Sequence, residues 1–326
     1  MSEKELPAYV DFGANPRYQA PFTIQGCRMN NFVVAADFEK LRALFSNTLN
    51  KPSGGAVDFW PVGLPGFTYV LFSFVDMRHQ SAREPTLGWI REQEFTVFVP
   101  GFDFNALRNG DRGFAFFIPY IFVDSDAALI VGRETYGFPK RLGSVSLPPA
   151  QGAPTFFALD TLVIPGATPD TEAVSRRLIE IHSVGEGKPE DRSVVFRDFE
   201  SMCKQIADRV FGGPIKITQA EEHLLDIGRE LGLGVPLVFL KQLRDTALQD
   251  RACYQSIVAS SFSLTAFNGG GLLGDYEITL SDFPSDPLRE ELGLSTGVLR
   301  PKLSFHVEYD FIVPPGHELW RANTTP

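Results

Sequence analysis

Apolar residues alternate with polar ones, or run unbroken, along most of the chain, and the runs are short. From 67 to 132 four follow one another: "FTYVLFSFVDM" (67–77), "WIREQEFTVFV" (89–99), "FAFFIPYIFV" (114–123) and "AALIVGRE" (127–134). They are rich in aromatic and β-branched residues and separated by Pro- and Gly-rich joints, which predicts strands. "TFFALDTLVI" (155–164) predicts one more. Residues 29–47 read as a strand followed by a short helix, with Asp37 as N-cap and Leu41, Leu44 and Phe45 on one helical face. The character changes near 170. "DTEAVSRRLIEIHS" (170–183), "VVFRDFESMCKQIADRVFG" (194–212) and "TQAEEHLLDIGRELG" (218–232) have acidic starts and glycine stops, and predict helices. Strands return with "VPLVFLKQLRD" (235–245), "YQSIVASSFSLTAF" (254–267), "YEITLSDF" (276–283) and "LSFHVEYDFIVPP" (303–315). Strands on both sides of a helical stretch favour one domain over residues 1–326, an antiparallel β-rich core with a helical insertion at about 170–232.

Composition narrows the function. The 326 residues carry a formal net charge of −10, which argues against a nucleic-acid surface and shows no polybasic membrane patch. The longest apolar stretch, roughly 113 to 123, is too short to span a bilayer, and the start "MSEKELPAYV" lacks the basic and apolar regions of a signal peptide. A cytoplasmic protein acting on a small molecule is expected. Cys27, Cys203 and Cys253 are far apart and without metal spacing, and read as reduced, buried thiols. The five histidines (79, 182, 223, 306 and 317) are scattered and form no HxxxH or HxH pair, so no metal site is expected. "GRETYG" and "NGGGLLGD" lack the spacing of phosphate loops and read as turns, so no cofactor is expected either. Phenylalanine accounts for 29 residues against 8 tyrosines and 3 tryptophans, so any pocket should be greasy.

That last point matters for "GRETYGFPKRLG" (132–143), where Lys140 and Arg141 follow a proline in an apolar neighbourhood. Lysine normally keeps its ammonium in water, and an exposed turn shaped by Pro139 would explain the pair without any chemistry. A desolvated lysine instead becomes a nucleophile. Burial among phenylalanines is the first expected cause of a neutral amine here, and the charge of Arg141 the second.

The stretch resembles the signature of the acetoacetate decarboxylase family, in which a strand carrying Gly-Arg-Glu leads to a Pro-Lys-Lys-Leu-Gly-like segment and the first lysine forms a Schiff base. "CRMNNFVVAADFEKLRAL", "EFTVFVP", "ACYQSIVASSF" and "HVEYDFIVPPGHELW" extend the resemblance to roughly 20–165 and 233–320. It implies an α+β fold with a barrel- or cone-like antiparallel core. It places the Schiff-base lysine on Lys140, the active-site glutamate on Glu94 and the binding-site arginine on Arg28. Arg28 would hold the substrate carboxylate, and Glu94 would move protons. Glu92 shares a strand face with Glu94 and is the alternative active carboxylate. Two positions depart from the family. Arg141 stands where a second lysine is usual, and Ser73 where an acidic residue is usual. Three functions are therefore carried forward: decarboxylation of a 3-oxo acid through an imine on Lys140, aldolase-dehydratase chemistry joining a 2-oxo acid such as pyruvate to an aldehyde, and non-catalytic small-molecule binding. A homo-oligomer is expected, and the insertion should cover the pocket mouth or an oligomer interface.

Overall fold

The computed structural model describes residues 6–10, 18–111, 113–149, 154–185, 194–211 and 234–322. Its frame is a ring. β1 (Phe22–Ala36), β4 (Phe67–Ser81), β5 (Ile90–Asp103), β6 (Phe114–Val123), β10 (Val235–Arg244), β11 (Ala252–Leu272) and β13 (Leu303–Val313) pair in the circuit β1-β4-β5-β6-β10-β11-β13 and back to β1. Every pair in the circuit is antiparallel except β6–β10, which is parallel. The small strands β2 (Phe59–Pro61) and β3 (Gly63–Leu64) pair with β5 and β4, and β14 (His317–Arg321) pairs with β11.

A second sheet leaves the ring at β6. There β7 (Lys140–Ser146) pairs in parallel, followed by β8 (Phe156–Val163), β9 (Val174–Gly185) and β12 (Asp275–Leu280). The expected β-rich core of the acetoacetate decarboxylase type is present, as a mixed rather than wholly antiparallel sheet.

The strands read as continuous apolar runs because those of the ring are buried on both faces. One core lies between the outer face of β1, β4, β5 and β6 and the second sheet, with Phe32, Phe72, Phe74, Phe95, Phe122 and Phe157 fully buried in it. The other lies inside the ring and includes Met29, Phe98, Tyr136, Phe138, Phe239 and Phe311. Helix α1 (Phe38–Phe45) begins where expected. Asp37 accepts from the Lys40 N–H, and Leu41 and Phe45 are buried.

Three stretches differ from expectation. "AALIVGRE" is not a strand but α3 (Asp126–Thr135), introduced after the short α2 (Phe104–Arg108). Ser125 caps α3 by accepting from the Ala128 N–H, and Asp126 supplies negative charge in the first turn. Residues 170–183, expected as the first helix of the insertion, instead yield β9. Ile179 and Ile181 alternate inward, while Arg177 pairs across the sheet with Asp160 at 2.8 Å. The second expected helix exists as α4 (Phe199–Phe211). The third, at 218–232, lies outside the described residues. "NGGG" continues β11 to Leu272 rather than turning, because Gly270 and Gly271 let the backbones at His306 and Val194 approach more closely than a Cβ would permit. Cys27 is buried as expected, Cys203 is partly buried and Cys253 is exposed, and all three are free thiols. Among the described residues no helix is long and apolar enough to cross a membrane.

Candidate active site

Lys140 is the first residue of β7, and the segment before it explains its position. α3 presents Gly132 to the lysine stem. A Cβ there would stand 2.9 Å from Lys140 Cδ and 3.0 Å from Cε, so only glycine leaves the stem its course. The chain then turns at Gly137, whose φ is +85° and whose missing side chain lets it lie against the Lys241 backbone. Arg133 Nη1 donates to the Lys140 carbonyl at 3.2 Å and holds the main chain. The two charged neighbours then part, as alternation along a strand requires. Lys140 points into the ring with Ile121, its β6 partner. Arg141, opposite Phe122, points outward.

The Lys140 side chain is 9% exposed, and its Nζ donates to Glu92 Oε1 at 2.7 Å. Glu92 Oε2 lies 3.2 Å from His79 Nε2. Two residues further on, Glu94 Oε1 accepts from Thr96 Oγ1 at 3.1 Å. Glu92, Glu94 and Thr96 share the inner face of β5, opposite the outward-facing Phe95 and Val97. His79, Glu92, Glu94, Tyr136 and Lys140 are the ionisable side chains among the described residues, and Phe22, Ile24, Met77 and Phe138 part of the apolar wall, of a cavity of about 80 Å³.

The two carboxyls are driven apart. Burial pushes Glu92 up, but the Lys140 ammonium and His79 outweigh burial and hold it at about 2. Burial, reinforced by the Glu92 carboxylate, pushes Glu94 up to about 8 against the pull of Lys140. One carboxylate and one carboxylic acid therefore stand side by side at neutral pH.

The remaining expected residues fall elsewhere. Arg141 is not in the cavity. It is ion-paired with the buried Asp286, donates to the Leu162 carbonyl at 2.9 Å, and lies over the Phe122 ring on the outer face. Its charge therefore does not act on Lys140 at short range, and its expected catalytic role is corrected to a structural one. Arg28 is also outside the cavity, with Nε 3.6 Å from Glu308 Oε1 on β13. The cause is a bulge in β1. Pairing slips between Ile24 and Cys27, with Gly26 at φ +59° and its N–H donating to Asp310 Oδ1 at 2.8 Å. Before the bulge Phe22 and Ile24 face inward; after it Cys27, Met29 and Asn31 do, which turns Arg28 out.

Ser73 is fully buried on the inner face of β4, where its Oγ donates to Asn31 Oδ1 at 2.7 Å. The acidic residue usual in the family is thus replaced by a neutral pair next to Thr96. Sequence reading missed His79, although it lies six residues after Ser73 and so shares its strand face. It also missed the roles of Gly132 and Arg133 inside a motif it had quoted.

Residues 15–165 match the family model described as acetoacetate decarboxylase (ADC). Over that span the chain is similar to the acetoacetate decarboxylase family. No curated protein sequence matches it. Among solved structures, an acetoacetate decarboxylase from Legionella pneumophila subsp. pneumophila str. Philadelphia 1 is similar at TM-score 0.58 and 14% identity, over 98% of this chain and 94% of that one. The enduracididine biosynthesis enzyme MppR complexed with pyruvate is similar at TM-score 0.53 and 15% identity, over 92% and 90%. An acetoacetate decarboxylase-like enzyme from Sphingomonas wittichii RW1 gives 0.53 and 13%, over 93% and 94%. At these identities the likeness is one of fold, and it runs well beyond the ADC segment.

Proposed function

We propose that this protein is a Schiff-base lyase that decarboxylates a 3-oxo acid on Lys140. The observation carrying the reading is a buried lysine that touches one carboxylate and has a second, neutral carboxylic acid within the same small cavity. The Lys140 ammonium, held by Glu92 across the 2.7 Å contact, gives up its proton to water, and the freed amine adds to the oxo carbon. Loss of water gives an iminium. The bond to the carboxyl carbon then breaks, its electron pair moves into the enamine, and CO2 leaves. Glu94, protonated at neutral pH, delivers a proton to the enamine carbon, and water releases the ketone and restores Lys140. The water consumed equals the water expelled.

Decarboxylation is favoured over aldol chemistry by the cavity's charges. A 2-oxo acid keeps its carboxylate throughout condensation and needs a lasting cationic partner. Here Lys140 is spent on the imine, and no arginine lines the cavity among the described residues. The test is to incubate the protein with acetoacetate, and separately with pyruvate plus an aldehyde, following CO2 and condensation product, with borohydride trapping and peptide mapping. CO2 release with a reduced adduct at Lys140 is expected. Condensation product without CO2 release would replace the decarboxylase by an aldolase, and the absence of any Lys140 adduct would remove the Schiff base.

A further inference from the structure

The Lys140 site fills only one end of the ring's interior. Above it lies a second cavity of about 240 Å³, roughly three times the volume of the first. β1, β4, β5, β6 and β13 each line both cavities at different heights, and Phe98 and Phe262 line both. Glu94 and Phe98 are four residues apart on β5, so the step from the acid to this shared wall is about 13 Å. The larger cavity has a different chemistry. Its walls include Leu71 and Val307, and α4 covers it with Met202, Ile206 and Val210. Among the described lining residues none is a carboxylate, a lysine or an arginine. About 150 Å³ of such space suffices for a benzene ring.

We infer that the substrate is an oxo acid carrying an apolar tail. The oxo carbon sits at Lys140, the carboxyl lies beside Glu94, and the tail runs past Phe98 and Phe262 into the cavity under α4. The inference rests on the Schiff-base reading of Lys140 and adds the substrate class. It also gives α4 a function, because its Phe199, Met202 and Ile206 would contact the tail and not the reacting atoms.

The experiment uses the full-length wild-type protein and a series of 3-oxo acids from acetoacetate through 3-oxohexanoate and 3-oxooctanoate to 3-oxododecanoate. Both CO2 release and borohydride-trapped adduct at Lys140 are measured. Each methylene that enters the cavity should raise kcat/KM by about three- to fourfold, until the cavity is full. Met202→Trp, which fills the cavity from α4, should lower the ratio of kcat/KM for 3-oxodecanoate over acetoacetate at least about tenfold. Adduct at Lys140 from every acid, with kcat/KM flat or falling along the series, would overturn the tail and leave the Schiff base standing. No adduct from any acid would overturn both. If Met202→Trp fails to fold, the wild-type series alone decides.

Discussion

The two faces of β4, β5 and β6 make different proteins of the same strands. Outward they present Phe72, Phe74, Phe95, Val97 and Phe122 to the second sheet, a surface with one task, to exclude water. Inward they present Ser73, His79, Glu92, Glu94 and Thr96, whose burial costs free energy unless each finds a partner. A fold gains nothing from burying two glutamates side by side unless the resulting tension is used. The outer face therefore holds the structure together, and the inner face carries the groups to which the proposed chemistry is assigned. Lys140 and Arg141, adjacent in sequence and divided between the two faces, are the sharpest pair on which to try the distinction.

Inside, the largest effect is expected from Lys140→Arg. A guanidinium cannot become a neutral amine, so turnover should fall by more than about a thousandfold and no adduct should be trapped. Residual activity above about a tenth would place the nucleophile elsewhere. Gly132→Ala sharpens the same point without changing any ionisable group. The added methyl meets the lysine stem at 2.9 Å, and displacement by a fraction of an ångström should reduce kcat by about tenfold. Single-turnover trapping rates would locate the loss in imine formation.

Outside, Arg141→Ala should change kcat by less than about threefold. It should nevertheless destabilise the protein by about 3 kcal/mol in urea titration, because it strands the carboxylate of Asp286, itself 1% exposed. A kinetic loss larger than the stability loss would break the division between the faces. The last effect concerns pH. Glu94 titrates at about 8 in the folded chain and at about 4.3 when unfolded, so its neutral form favours folding fully below the lower value. That contribution disappears as pH rises through the folded value. Glu94→Gln should therefore flatten the decline in Tm between about pH 5 and 8. An unchanged slope would mean that Glu94 is not the buried acid.

Much of this was legible in the sequence because strands buried on both faces read as short runs of aromatic and β-branched residues. β4, β5, β6, β8, β10 and β13 stand where their aromatic runs predicted, and Lys140 touches Glu92, the carboxylate placed second to Glu94 in the sequence reading. What failed did so for local reasons. "AALIVGRE" is too short and too apolar for periodicity to separate helix from strand, and the deciding signal was the Ser125–Asp126 cap just before it. The acidic start of 170–183 imitated a helix N-terminus, while its alternating Ile179 and Ile181 belonged to β9. Arg28 was lost to a single extra residue. A bulge at Gly26 inverts every later side chain of β1, and no alternation count can register it. Arg141 faces outward, as alternation from Lys140 on an extended backbone requires, and that direction removes it from the cavity.

The ring also sets an order of events during synthesis. β1 pairs with β13 from Phe22 opposite Val313, nearly the whole chain apart, and β6 meets β10 only after residue 234 has been made. Until then β1 and the part of β6 before Ile121 each present an unpaired edge, the kind of surface on which strands of other chains add. Contacts this distant in sequence form late and slowly. A nascent or truncated chain ending near 165 would carry the residues of the lysine cavity from Phe22 to Lys140 and lack Phe262, Phe311 and Val313, which close it. Recombinant fragments cut at the limit of family similarity should therefore aggregate, and chaperone demand should be highest while the last third of the chain is still being translated.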